Sequence, residues 1–246
     1  MAFSAQFRFY AELNDFLPPS KKNKEIYYHF SKNPSVKDAI ESMGIPHTEV
    51  ELIVVNGESK NFNYQLKDGD KISVYPVFES IDISPLIKLR DKPLREPKFI
   101  CDVHLGRLAK LLRLLGFDTC YSNKYSDEDI IDISLKERRC ILTKDRGILK
   151  RKVVTHGYCV RSIFPKKQLI EVLKRFDLYK AINPFTLCME CGGKLNKKAK
   201  SEIINTLEEK TKQYYNEFYK CDNCGKIYWK GSHFYSLEKL VENIKK

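Results

Sequence analysis

Three aspartates, Asp102, Asp127 and Asp145, stand at the junctions of the stretch FICDVHLGRLAKLLRLLGFDTCYSNKYSDEDIIDISLKERRCILTKDR, residues 99–146. Asp102 comes as FICDV closes, Asp127 where a helix opens, and Asp145 just past CILT. Ligands of a parallel sheet bind beyond the strand ends on one edge, so acids carried there by separate strands can converge. Converging carboxylates repel each other unless a cation lies between them. The pattern therefore predicts a Mg²⁺ or Mn²⁺ site suited to phosphodiester chemistry. Asp127 precedes Thr143 by 16 residues, the length of one helix plus one strand, so a helix-start acid can face a strand-end acid across a cleft. Lys144 and Arg146 flank Asp145; such bases form ion pairs and can also hold a substrate phosphate.

A second constellation is made of cysteines. Cys188-Met-Glu-Cys191-Gly and Cys221-Asp-Asn-Cys224-Gly are two CxxCG turns, each able to aim two thiolates at one ion. Together they predict a structural Zn²⁺ rather than a redox dithiol, which needs one pair and not two. The 29 residues between the pairs are rich in lysine and predict a basic hairpin or helix. KIYWKGSHFYS follows the second pair. In it Trp229 and His233, with Tyr228, Phe234 and Tyr235, interleave with Lys226 and Lys230, offering planar faces to bases and charges to phosphates.

The elements that must position these residues are legible from periodicity. Leu105, Leu108, Leu111, Leu112 and Leu115 recur at three- and four-residue steps and define one helical face against a sheet. Arg107, Lys110 and Arg113 fall mostly off that face, as solvated charge or as phosphate contacts. Ser126 caps a second helix, where the acidic Asp127, Glu128 and Asp129 also suit the helix dipole. VVTHGYCVRSIF supplies the last strands, and PKKQLIEVLKRFDLY a helix with Leu169, Val172, Leu173 and Phe176 inward. Residues 1–79 form a separate pattern: strands at QFRFYAEL and EIYYHF, a helix NPSVKDAIESMG capped by Asn33 and ended by Gly44, a strand into an Asn56-Gly57 turn, and a last strand in LKDGDKISVYPVF.

Charge divides along the same line. The chain of 246 residues carries a net +12, but residues 1–83 hold 9 Lys+Arg against 12 Asp+Glu, leaving 35 against 20 for the rest. The basic remainder predicts contact with a polyanion, the acidic start does not. No run of 18 apolar residues exists, and MAFSAQFRFYAEL lacks the charged start and apolar core of a signal peptide. The remaining cysteines, Cys101, Cys120, Cys140 and Cys159, sit in strand-like apolar runs as small hydrophobes. A soluble cytoplasmic protein without a membrane partner is expected.

Two family resemblances follow from these motifs. The strands, helix and closing LKDGDKISVYPVF of the N-terminal part resemble the ubiquitin-like β-grasp fold, in particular its sulfur-carrier branch. That branch acts through a free Gly-Gly end, whereas this chain continues as PVFESIDIS, so the expected role is to dock a protein partner or to stabilise the neighbouring domain. DVHLGRLAKLLRLLGFDT, SDEDIIDISLKERRCILTKDRGIL and the paired CxxC segments resemble, in that order and over about residues 98–236, the Mut-seven C-terminal ribonuclease domain of the PIN-like nuclease group. The resemblance implies a three-layer α/β/α fold with a parallel sheet and Mg²⁺- or Mn²⁺-dependent cleavage of single-stranded or structured RNA; ribosomal or transfer RNA is the expected partner. It matches Asp102, Asp127 and Asp145 to the metal-binding acids. PIN nucleases usually add a fourth acid; Asp118, Glu128 and Asp129 are candidates, and none fits cleanly.

The expected architecture is therefore a multi-domain α/β chain: a β-grasp domain over 1–82, a linker over 83–98, a PIN-like domain over 99–182, and a zinc ribbon with a basic insertion over 183–246. The expected activity is that of a metal-dependent ribonuclease. Asp102, Asp127 and Asp145 are its catalytic acids, Cys188, Cys191, Cys221 and Cys224 its zinc ligands, and Arg107, Arg113, Lys144, Arg146, Lys226, Trp229, Lys230 and His233 its RNA contacts. The alternative is a non-catalytic RNA or ribosome binder on a degenerate nuclease fold.

Overall fold

Alternating burial along FSAQFRF turns Ala5, Phe7 and Phe9 inward and makes the first strand of the protein. The structure, a computed structural model, describes residues 3–76 and 98–245. Of the expected linker over 83–98, all but Lys98 lies outside them. The chain divides into two compact units, Met1–Glu96 with Thr143–Cys159, and Pro97–Leu142 with Val160–Lys246.

In the first unit β1 (Phe3–Phe9), β2 (Ile26–Phe30), α1 (Val36–Ser42), β3 (Val50–Val55), β4 (Glu58–Lys60) and β5 (Lys71–Pro76) follow in order. The sheet runs β2-β1-β5-β3-β4. Only β1 and β5 pair in parallel; the other pairs are antiparallel. Phe7, Ile40, Ile53, Leu66 and Val74 are fully buried in its core. The α1 cap is Ser35, not Asn33: its Oγ accepts from the Asp38 N–H at 3.1 Å. Asn33 precedes Pro34 and is biased toward extended backbone, which delays the helix start. Asn56 and Gly57 both have positive φ (51° and 89°), the turn that Asn-Gly predicts between β3 and β4.

In the second unit β6 (Lys98–Cys101) leads through a 3₁₀ turn into α2 (Gly106–Leu114), β7 (Thr119–Cys120), α3 (Asp127–Glu137) and β8 (Arg139–Thr143). β6 is paired in parallel with β7 on one side and β8 on the other, Cys101 lying opposite Leu142. Buried on both faces, its residues Phe99, Ile100 and Cys101 read as an unbroken apolar run. The α2 face holds Leu105, Leu108, Leu112 and Leu115 as expected, while Leu114 is buried and Leu111 only half-buried. Gly116, at φ +91°, ends the helix; a Cβ there would lie 2.2 Å from the Asn183 carbonyl oxygen, so no side chain fits.

The segment Thr143–Cys159 groups with the first unit and carries α4 (Arg146–Lys150) and β9 (Gly157–Cys159). The second unit resumes with α5 (Pro165–Arg175), which packs on α2 with Leu169, Val172 and Leu173 buried, while Phe176 stands edge-on to Phe99 at 5.3 Å. It ends in β10 (Leu195–Lys198), α6 (Lys200–Ile203), α7 (Glu209–Tyr214), β11 (Phe218–Cys221), β12 (Ile227–Trp229) and α8 (Ser232–Lys245). β10-β11-β12 form an antiparallel sheet whose own core is Ile203, Leu207 and Phe218. The lysine-rich insertion is thus both a strand and short helices. Among the described residues no helix is long and apolar enough to cross a membrane.

Candidate active site and metal centre

Each of the three aspartates sits at the start of a helical turn, for a local reason. Asp102 follows β6 and is 6% exposed; its N–H donates to the Leu142 carbonyl oxygen at 3.0 Å and its Oδ1 accepts from the His104 N–H at 2.8 Å. Asp127 is the first residue of α3 and is exposed. Asp145 lies two residues beyond β8, exposed, with Oδ1 accepting from the Gly147 N–H at 2.7 Å and its own N–H donating to Thr143 Oγ1 at 2.8 Å.

Neighbouring acids are committed elsewhere. Asp129 closes a capping box with Ser126, accepting from its N–H and Oγ, both at 2.9 Å, and those bonds hold its carboxyl below the usual range. Asp118 grips the buried guanidinium of Arg139, which also donates to Glu137 and to the Phe99 carbonyl oxygen. Two of the three candidates for a fourth acid therefore hold the fold together.

The bases distribute differently from their sequence pattern. Arg107 is exposed on α2, but Arg113 is 2% exposed. Its Nε donates to the Thr119 carbonyl oxygen at 2.8 Å and its Nη1 to the carbonyl oxygens of Met189 and Glu190. Arg113 is thus a correction: the α2 side turned from the sheet is covered by the first cysteine turn, and its guanidinium anchors that turn instead of meeting solvent. Arg146 lies over the Phe16 ring, 4.8 Å from its centroid, and donates to the Phe16 carbonyl oxygen at 3.2 Å within the first unit. Lys144 is exposed beside Asp145.

The cysteines converge. The Sγ atoms of Cys188, Cys191, Cys221 and Cys224 all lie within 4.8 Å of one another, a set that could hold a zinc ion. Cys188 and Cys224 are 3.7 Å apart and Cys191 and Cys221 3.4 Å, near the ~3.8 Å edge of a tetrahedron with ~2.3 Å Zn–S arms. Gly192 and Gly225, at φ +80° and +72°, let each turn fold back behind its second cysteine. The four thiols do not ionise alike by themselves. Burial opposes ionisation of Cys188, but hydrogen bonds from Tyr228 Oη and from the Cys191 and Glu190 N–H groups bring it down to about 6. Burial pushes Cys191 up to about 12. A divalent cation is what would hold all four as thiolates at once. It would supply a cross-link between the two turns.

Lys226, Trp229, Lys230 and His233 all line one cavity of about 670 Å³, together with Tyr215 and Phe234. Each lysine is paired with an acid, Lys226 with Glu190 at 3.1 Å and Lys230 with Glu217 at 3.2 Å. Exposed pairs of this kind contribute little to stability, so a phosphate can displace them at small cost. Tyr228, which lines the same cavity and binds Cys188 at 3.1 Å, joins the metal centre to this surface.

A family model described as the Mut7-C RNAse domain matches residues 97–241. The chain belongs to the Mut7-C RNAse domain family. A second model, Mut7-C ubiquitin, matches residues 2–82, the mixed five-stranded sheet of the first unit. No curated protein and no solved structure matches. The Mut7-C RNAse match takes in Asp102, Asp127, Asp145 and all four zinc-ligand candidates, and it indicates a nuclease-like function with RNA as substrate.

Sequence reasoning missed Ile163 and Phe164 of the Mut7-C RNAse domain, two large apolar side chains that the structure leaves 70% and 58% exposed. In SIFPKK they read as a strand end feeding a helix, and only tertiary packing shows that the described residues leave most of their surface open.

Proposed function

We propose that the chain is a metal-dependent ribonuclease of PIN-like architecture, cutting RNA phosphodiester bonds with Asp102, Asp127 and Asp145. The observation that carries this reading is that β6 and β8 are parallel neighbours in a domain matched by the Mut7-C RNAse model, and each is followed within two residues by an aspartate that opens a helical turn. Mg²⁺ and Mn²⁺ need only one or two carboxylates, with waters and substrate phosphate completing the shell; among the described residues only the four cysteines form a group of three or more drawn close enough to hold an ion, so one or two of the aspartates would hold the cation with waters in the remaining places. The ion, when bound, supplies an acidified water and neutralises charge on the phosphate. Asp102, nearly buried and held by the His104 N–H, is the rigid member; Asp127 and Asp145 are open to solvent. Lys144 and Arg107 hold phosphates, and the ribbon cavity with Trp229 takes bases. Zn²⁺ on the four cysteines keeps that ribbon folded. The Mut7-C ubiquitin domain supports the segment that carries Asp145.

The test is cleavage of an end-labelled RNA by the zinc-loaded chain with added Mn²⁺. Cleavage is expected with the wild-type chain and absent with Asp145→Asn, whose melting profile stays unchanged. Equal cleavage by both would overturn the assignment. A second reading, a non-catalytic RNA binder, is favoured by Asp118 and Asp129 being tied to Arg139 and Ser126. RNA binding with no cleavage under any divalent cation would select it.

A further inference from the structure

Along α2 two cavities of about 780 and 500 Å³ share the wall Arg107, Lys110 and Pro165. The larger adds His104, Tyr121 and Ile163; the smaller adds Phe164 and Lys166. Together they make a continuous groove between α2 and the chain entering α5. Its charge is cationic: Arg107, Lys110 and Lys166 face one acid, Glu190, which is already bridged to Lys110 at 2.8 Å and Lys226 at 3.1 Å. Its apolar content is unusual for an open surface, because Ile163 and Phe164 stand at the mouth with most of their surface in water.

That exposure is held in place. The N–H groups of Arg161 and Ser162 donate to the Glu171 carboxylate at 2.8 and 3.0 Å, Gln168 Nε2 to the Ser162 carbonyl oxygen at 2.9 Å, and the Gln168 N–H to that of Phe164 at 2.9 Å. A ligand therefore meets a platform whose backbone is ordered beforehand, which lowers the entropy lost on binding. Lys167 Nζ lies 5.6 Å from the Phe164 ring centroid, so a positive charge already accompanies the aromatic face. At its other end the groove reaches His104, whose N–H donates to Asp102.

A cationic trough with a rigid, largely exposed aromatic ring suits a strand whose bases are free to stack, since the bases of a duplex have no exposed faces. We propose that this groove is the track for unpaired RNA, with Phe164 stacking on a nucleobase and Arg107, Lys110 and Lys166 contacting phosphates. The direction of the track, toward Asp102, rests on the ribonuclease reading; the binding itself does not.

Binding is measured by fluorescence anisotropy on the zinc-loaded full chain with no added Mg²⁺ or Mn²⁺, using labelled 12-nucleotide oligouridine and a labelled 12-base-pair RNA duplex. Phe164→Ala is expected to raise the Kd for oligouridine about tenfold, to change the duplex Kd less than about twofold, and Phe164→Trp to restore binding. Lys166→Ala should lower the slope of log K against log salt by about 0.7. An unchanged oligouridine Kd for Phe164→Ala would overturn the proposal, as would an equal loss on duplex, or competition by polyglutamate as strong as by unlabelled oligouridine. Cleavage is scored separately with Mn²⁺: a chain that binds through Phe164 but never cuts refutes the nuclease reading alone, and one that cuts but ignores Phe164 refutes the groove alone.

Discussion

The imidazole of His47 lies 2.8 Å through Nε2 from the Val154 carbonyl oxygen, 107 positions along the chain. Its Nδ1 is 2.6 Å from a Glu41 carboxylate oxygen, so both ring nitrogens face acceptors. Burial of the ring holds His47 below its ordinary pKa against the opposing pull of Glu41. The contact ties the Mut7-C ubiquitin domain to the segment that begins just before Asp145. Glu49 Oε1 on the Cys159 N–H at 2.6 Å and Lys150 Nζ on the Glu41 carbonyl oxygen at 2.9 Å add to it. His47→Ala should cost about 1–3 kcal/mol, the scale of a buried acceptor left unpaired. Hydrogen exchange should show faster exchange across residues 146–159; unchanged protection there would mean that the segment is held by other contacts.

Asp127 and Asp129 are two residues apart but predict opposite phenotypes. Asp129→Ala removes one half of the capping box and should lower the urea-unfolding midpoint while leaving cleavage intact. Asp127→Asn should leave stability within about 0.5 kcal/mol and lower the Mn²⁺-dependent rate by about a hundredfold. The reverse assignment of effects would exchange their roles.

Arg113→Met should destabilise the second unit by about 3 kcal/mol, because the carbonyl oxygens of Thr119, Met189 and Glu190 lose a buried charged donor. Trp229, the single tryptophan of the chain, reports on that loss by fluorescence during a urea titration. The salt slope of RNA binding should stay that of the wild type, whereas Arg107→Ala should reduce it. A variant Arg113→Met of normal stability but weakened RNA binding would return Arg113 to the surface.

Native mass spectrometry should find one zinc per chain, and Cys191→Ser should abolish that occupancy. Stripping the metal with a chelator should collapse the ribbon and shift the Trp229 emission, with recovery on adding Zn²⁺. A chain that stays folded and keeps its emission after complete stripping would show that the ribbon stands on Ile203, Leu207 and Phe218 alone.

Trp229→Ala should weaken binding of unpaired RNA by about 1–3 kcal/mol, the range for loss of one stacked base, and lower stability by less, since the ring is 37% exposed. Equal losses in both measurements would make it a packing residue against Tyr215, whose ring centroid is 6.3 Å away.

Local chemistry was legible from the amino-acid order because short-range rules govern it. Two CxxCG turns aim their thiolates wherever the rest of the chain goes, Asn56-Gly57 adopts positive φ by its own sterics, and three- to four-residue leucine spacing makes one side of α2 apolar. Burial and partnership were decided by tertiary packing. Arg113 reads as a surface base until the first cysteine turn closes over α2, and Asp118 and Asp129 stand as candidates for a fourth acid until Arg139 and Ser126 claim them. Phe164 reads as the end of a strand, and only the fold leaves its ring 58% exposed. The grouping of Thr143–Cys159 with the ubiquitin-like unit depends on His47, Glu41 and Glu49, residues about a hundred positions away, and no periodicity within the segment could encode partners at that distance.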